Sequence, residues 1–185
     1  MANREITLPC SDTCIDVLRK ESLPVRIYGF ASGRKNRNEN KPLIVHFHGG
    51  SFRSGSLDNG TMVANLLMEA GAVVVSVDYP LAPQYKFPVA VESGHAMLER
   101  IYATRSKFAG SKSPVLLAGE EAGGNLAAAI ALINRDRQEV DLAGQILFSP
   151  ILNPCLGTAS LRASNAGMGD CRLKQGWNDY LRCSI

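Results

Sequence analysis

Four short, nearly unbroken apolar runs, spaced by helix-length amphipathic segments, set the tightest limit on how this chain folds. They are residues 42–47, 72–77, 114–118 and 145–148. Such runs suit strands buried on both faces, as in a parallel sheet. Between them, residues 57–70 place Met62, Val63, Leu66, Leu67 and Ala70 at helical spacing. Residues 88–102 open on Pro88, which a first helical turn accepts, and residues 124–137 are rich in alanine and leucine. Strand and helix therefore alternate, which predicts an α/β fold: a mostly parallel sheet with right-handed crossovers and flanking helices. Upstream, residues 4–8 and 24–30 read as short strands, and residues 31–42 as a loop. Beyond Phe148 the pattern loosens into proline and glycine. A last segment, 173–181, sets Leu173, Trp177, Tyr180 and Leu181 on one helical face, which has to cover something. The 185 residues are expected to form a single domain.

Composition narrows the function classes. The net charge of +3 is too weak to argue for nucleic acid, and the densest basic run, Gly33-Arg34-Lys35-Asn36-Arg37, reads as a solvated loop. No apolar stretch approaches the roughly 18–20 residues that span a bilayer, and no apolar region follows the charged N-terminus, so neither a membrane span nor a signal peptide is expected. Cys10, Cys14, Cys155, Cys171 and Cys183 form no metal-binding spacing. Their odd number suits reduced thiols in a cytoplasm, and no metal or cofactor is expected.

Three segments carry chemistry. His48-Gly49-Gly50-Ser51-Phe52 directly follows a predicted strand. Glycines there let backbone N–H groups turn toward a substrate, where they stabilise a developing oxyanion. Asp78-Tyr79-Pro80-Leu81-Ala82-Pro83 and then Phe87-Pro88-Val89-Ala90-Val91 lead from a strand into a helix. Gly119-Glu120-Glu121-Ala122-Gly123-Gly124-Asn125-Leu126-Ala127 has the strand–turn–helix context of a nucleophile elbow, with Gly119 and Gly123 permitting the tight turn.

Together these segments resemble the hormone-sensitive-lipase-like carboxylesterases, also called α/β-hydrolase fold-3, over roughly residues 23–181. The resemblance implies the α/β-hydrolase fold, truncated after about its sixth strand, so that residues 1–185 make a C-terminally incomplete domain. It assigns the oxyanion hole to the N–H groups of Gly49, Gly50 and Ala122, and treats His48, Asp78, Gly119 and Gly123 as motif positions. The family patterns are H-G-G-G, DYRLAPE…FPAA and G-D/E-S-A-G-G-N-L-A. Departures from them are Ser51 at the third glycine, Pro80 for arginine, Gln84 for glutamate and, above all, Glu121 for the nucleophilic serine.

The family's ester hydrolysis uses Ser, Asp and His in that chain order. His46, His48 and His95 all precede residue 121, and Asp136, Asp141, Asp170 and Asp179 lie in no matching segment. The chain is therefore expected to be catalytically dead. Glu121 is expected to fold into the oxyanion hole, because those N–H groups and a helix N-terminus favour negative charge. Two alternatives stand beside a degraded esterase: a pseudoenzyme binding a small acyl or carboxylate ligand, and one half of a split hydrolase. A sheet edge at residues 145–148 would also favour self-association or a partner strand.

Overall fold

The computed structural model describes residues 10–17, 21–30, 41–154 and 168–181. Along the chain run β1 (Cys10–Val17), β2 (Glu21–Tyr28), β3 (Leu43–Phe47), α1 (Thr61–Glu69), β4 (Val73–Val77), α2 (Val89–Ala103), β5 (Val115–Glu120), α3 (Ala122–Arg137), β6 (Leu142–Phe148) and α4 (Met168–Leu181). The strands form one sheet in the order β1-β2-β4-β3-β5-β6. β1 and β2 run antiparallel to each other, and β2 antiparallel to β4. From β4 to β6 every pairing is parallel.

The first three apolar runs become β3, β4 and β5, whose faces are both covered, while the fourth becomes the less buried β6. All five residues of β3 and all five of β4 are buried. Side chains alternate between faces along a strand, and β3 shows it. Leu43, Val45 and Phe47 pack with Leu98 and Ile101 of α2 and Leu126 and Ile130 of α3, while Ile44 packs with Val63, Ala64 and Leu67 of α1. The layers are unequal. α2 and α3 cover one face and, among the described residues, α1 covers the other, where Met62 and Leu66 stay at 79% and 55% exposure.

The expected helices appear with shifted ends. α1 starts at Thr61 instead of residue 57, because 57–60 form turns, and α4 starts at Met168 instead of residue 173. The loop 31–42 lies almost wholly outside the described residues, and so do the strand expected at 4–8, the basic run 33–37, Cys155 and Cys183. β1 was not expected. It pairs with β2 along its whole length, Cys10 opposite Tyr28 through Val17 opposite Glu21. β6 hydrogen-bonds only β5 among the described residues, and none of its seven residues is fully buried. No helix among the described residues is long and apolar enough to cross a membrane.

Candidate active site

The turn from β5 into α3 is built by what cannot fit there. A Cβ on Gly119 would lie 2.3 Å from the Gly123 carbonyl oxygen, and one on Gly123 would lie 2.0 Å from that of Phe47. With both positions bare, the turn closes against β3 and lifts Glu121 out at φ 53°, ψ −112°. A non-glycine residue held there costs roughly 1–3 kcal/mol. The backbone around it fixes the conformation. Glu121 N–H donates to Phe148 O at 3.0 Å, while its carbonyl accepts from Asn125 N at 3.2 Å and Ile151 N at 3.1 Å. Asn125 Nδ2 reaches Ile151 O at 2.9 Å, so the segment after β6 is tied over the turn.

The Glu121 carboxylate turns into the loop after β3. Gly50 N–H donates to Oε2 at 2.5 Å, Ser51 N–H to Oε2 at 2.8 Å and Ser51 Oγ to Oε1 at 2.7 Å. Burial pushes this carboxyl's pKa up. The donors from Gly50, Ser51 and Ala122 together outweigh burial and hold it below the ordinary value of 4.5. The structure thus brings Gly50 and Ala122 to Glu121. Gly49 goes elsewhere: its N–H donates to Glu120 Oε1 at 3.0 Å, because the neighbouring carboxylate reaches it first. Ser51 supplies the missing donor, and supplies two. The loop bends sharply to do so, with Ser51 at φ 52° and Phe52 at φ 62°. Gly50 at φ 131° leaves no room for a side chain against Ser54 O.

Glu120 and the first two histidines form a layer beneath. His46 Nε2 lies 2.6 Å from Glu120 Oε2 and its Nδ1 lies 3.0 Å from Ser76 Oγ. A carboxylate oxygen accepts, so Nε2 carries the proton. His48 is fully buried and stacks on Tyr79, centroids 4.4 Å apart. Its Nδ1 donates to Gly49 O at 2.7 Å, and burial pushes its pKa down. The ring is then neutral, and Asp78 Oδ1 at 3.8 Å from Nε2 is no hydrogen-bond partner. Tyr79 Oη donates to His48 O at 2.8 Å. Asp78, the motif aspartate, lies at the strand end with its N–H on Pro24 O at 3.0 Å. His95 sits on α2, beside Glu99 and Glu139. No histidine therefore bonds to Glu121.

The face of α4 covers the oxyanion loop from outside. Phe52 stacks on Tyr180 at 4.2 Å and lies 4.9 Å from Trp177, both of which are buried. Phe87 N–H donates to Tyr180 O at 2.8 Å, and Arg53 pairs with Asp179 at 2.6 Å. Gly176 is bare because a Cβ there would lie 2.2 Å from Ser51 O. Leu181, expected on the same face, is exposed. Next to Glu121 opens a cleft of about 700 Å³, lined by Glu120 and Glu121 together with Met62, Leu66 and Phe148.

A six-stranded, mostly parallel sheet with a strained residue on the β5–α3 turn, faced by N–H groups from the loop after β3, defines an α/β-hydrolase. A profile of the alpha/beta hydrolase fold family matches residues 44–183, and the chain belongs to that family, in its fold-3 carboxylesterase group. It is 36% identical to carboxylesterase NlhH of Mycobacterium tuberculosis over 129 residues, 69% of this chain and 39% of that protein. It is 38% identical to the gibberellin receptor GID1C of Arabidopsis thaliana over 116 residues, 60% of this chain and 33% of the receptor. The solved esterase LipW of Mycobacterium marinum superposes with a TM-score of 0.80 at 29% identity, over 96% of this chain and 55% of LipW. This chain thus spans about half or less of the length of these proteins.

Proposed function

We propose that this chain is a non-hydrolytic member of its family, with its oxyanion donors closed by its own Glu121. The carrying observation is the pair of contacts from Ser51 to the Glu121 carboxylate, through N–H at 2.8 Å and Oγ at 2.7 Å. Ser51 and Glu121 are both departures from the family pattern, and here each satisfies the other. A site that had merely decayed would have no reason to match two substitutions in this way. The closure also removes two requirements of acyl transfer. A carboxylate replaces the alkoxide nucleophile, and the donors that would hold a tetrahedral oxyanion already hold an anion.

Loss of a serine hydrolase's nucleophile costs about a million-fold in turnover. The test is hydrolysis of p-nitrophenyl butyrate by the 185-residue chain beside Glu121→Ala. Equal, near-background rates are expected. Saturable turnover that disappears in Glu121→Ala would make Glu121 a nucleophile and end this reading.

The same geometry bears on the binding alternative. A carboxylate ligand would find its donors occupied and two glutamates lining the cleft, so a neutral acyl group is the better fit to neighbours such as Met62, Leu66 and Phe148. The β6 edge supports a second reading, association through strand pairing with another copy or a complementary segment. Size-exclusion chromatography with light scattering tests it, and a monodisperse monomer at high concentration would count against it. The exposed free thiols of Cys10 and Cys14 support placing the protein in a reducing, cytoplasmic compartment.

A further inference from the structure

At the other end of α3 from Glu121, beside the residue that follows its C-cap, His95 presents a problem of its own. It is 2% exposed, and its Nε2 is buried with no hydrogen-bond partner. That atom points at the Glu139 carboxylate, 3.5 Å from Oε2, and Glu99 Oε2 lies 3.8 Å from Nδ1. Neither pair forms a hydrogen bond. Meanwhile Glu99 and Glu139 lie close enough to repel as like charges, and to hydrogen-bond when one of them holds a proton. Among the described residues the cation paired with them is Arg137, whose Nη1 stands 3.9 Å from Glu139 Oε2 on a mostly exposed side chain. It leaves His95 Nε2 unserved.

We propose that His95, Glu99 and Glu139 form a divalent transition-metal site of the kind zinc takes, joining α2 to the segment that follows α3. One nitrogen and two carboxylate oxygens, one per residue, lie within 4.8 Å of one another. Two donors on a tetrahedral zinc, with bonds of about 2.0–2.2 Å, stand roughly 3.3–3.6 Å apart. The Nε2–Oε2 distance is already in that range, and the half-exposed glutamates can rotate to close the rest. His95 and Glu99 are four residues apart on one face of α2, and Glu139 comes from beyond the left-handed C-cap Gln138. Imidazole with carboxylates suits zinc over magnesium, which prefers an all-oxygen octahedron.

The ion would clip two elements that now meet through unsatisfied polar groups, and binding would stabilise the fold. The test is calorimetric titration of the full chain with zinc chloride, alongside Glu139→Gln and Glu99→Gln, with thermal unfolding at each zinc level. Both variants alter half-exposed side chains, so the fold should survive. One zinc equivalent present in the parent and weakened about tenfold or more in both variants is expected, with Tm rising at correspondingly lower free zinc in the parent than in the variants. Zinc held by cysteines would appear equally in all three proteins. Identical affinity and stoichiometry across the three, or no saturable binding in the parent, would overturn the proposal. Magnesium binding as tightly as zinc would overturn it too.

Discussion

Two groups of glutamates in this molecule meet opposite surroundings. Glu120 and Glu121 collect donors: Gly49 N–H and His46 for the first, Gly50 N–H and both donors of Ser51 for the second. Glu99 and Glu139 receive no backbone N–H donor in this way; they lie close to each other, beside a buried imidazole nitrogen without a hydrogen-bond partner, with Arg137 3.9 Å from Glu139. Backbone geometry makes the difference. A loop whose N–H groups turn inward, set against a helix N-terminus, is an anion site even when the anion is part of the same chain. Side chains brought together by helix packing have no such supply, and their negative charge asks for a cation. The first group is closed chemistry and the second is open.

The comparison can be broken most forcefully at the turn that presents Glu121. Gly123→Ala would drive a methyl into the Phe47 carbonyl, backbone against backbone, and should cost about 3 kcal/mol in urea unfolding. A cost near zero would mean that the turn is looser than described. Next comes charge removal. Glu121→Gln should lose about 1.5–3 kcal/mol at pH 7, since its hydrogen bonds are to an ionised group. Glu99→Gln should lose nothing, or gain slightly, because it removes a charge that burial and then Glu139 disfavour. Equal losses in the two variants would erase the distinction. Ser51→Ala should be milder, about 1 kcal/mol.

pH separates the groups by sign. The Glu121 pKa is lowered, so its contribution is present above the ordinary value of 4.5 and is lost as pH falls through the folded value. The Glu99 pKa is raised, so its contribution is full below 4.5 and is lost as pH rises through its folded value. Against the parent, Glu121→Gln should therefore flatten the acid limb of stability, and Glu99→Gln the limb just above it. Urea midpoints between pH 3 and 8 read both.

How far the sequence reveals this depends on whether a feature is local. β3, β4 and β5 are legible because burial on both faces writes itself as an unbroken apolar run, whereas the run at 145–148 belongs to β6, none of whose residues is fully buried. The turn is legible because Gly119 and Gly123 are each forced by one contact. β1 is not, since Cys10–Val17 carries no apolar period and is mostly exposed; its pairing comes from β2. In α4, Trp177 and Tyr180 fall on the covering face as the spacing implies, but Leu181 lies past the end of what they cover. The choice of Ser51 over Gly49 as donor needs the geometry, because Glu120 competes for Gly49 at hydrogen-bond range. The His95 group needs it more. Its first two members share a helical face, but Glu139 arrives from beyond α3, and a search for cysteine spacing passes over all three.

The central claim is that the Glu121 carboxylate lies ionised among the donors of the oxyanion loop. A ¹³C-carboxyl titration of glutamate-labelled protein, with Glu121→Gln used to assign the resonance, reads this directly. The account predicts a Glu121 pKa below the ordinary 4.5, rising in Ser51→Ala as the hydroxyl donor is lost. A Glu121 carboxyl that titrates at or above 4.5 and ignores Ser51 would contradict it.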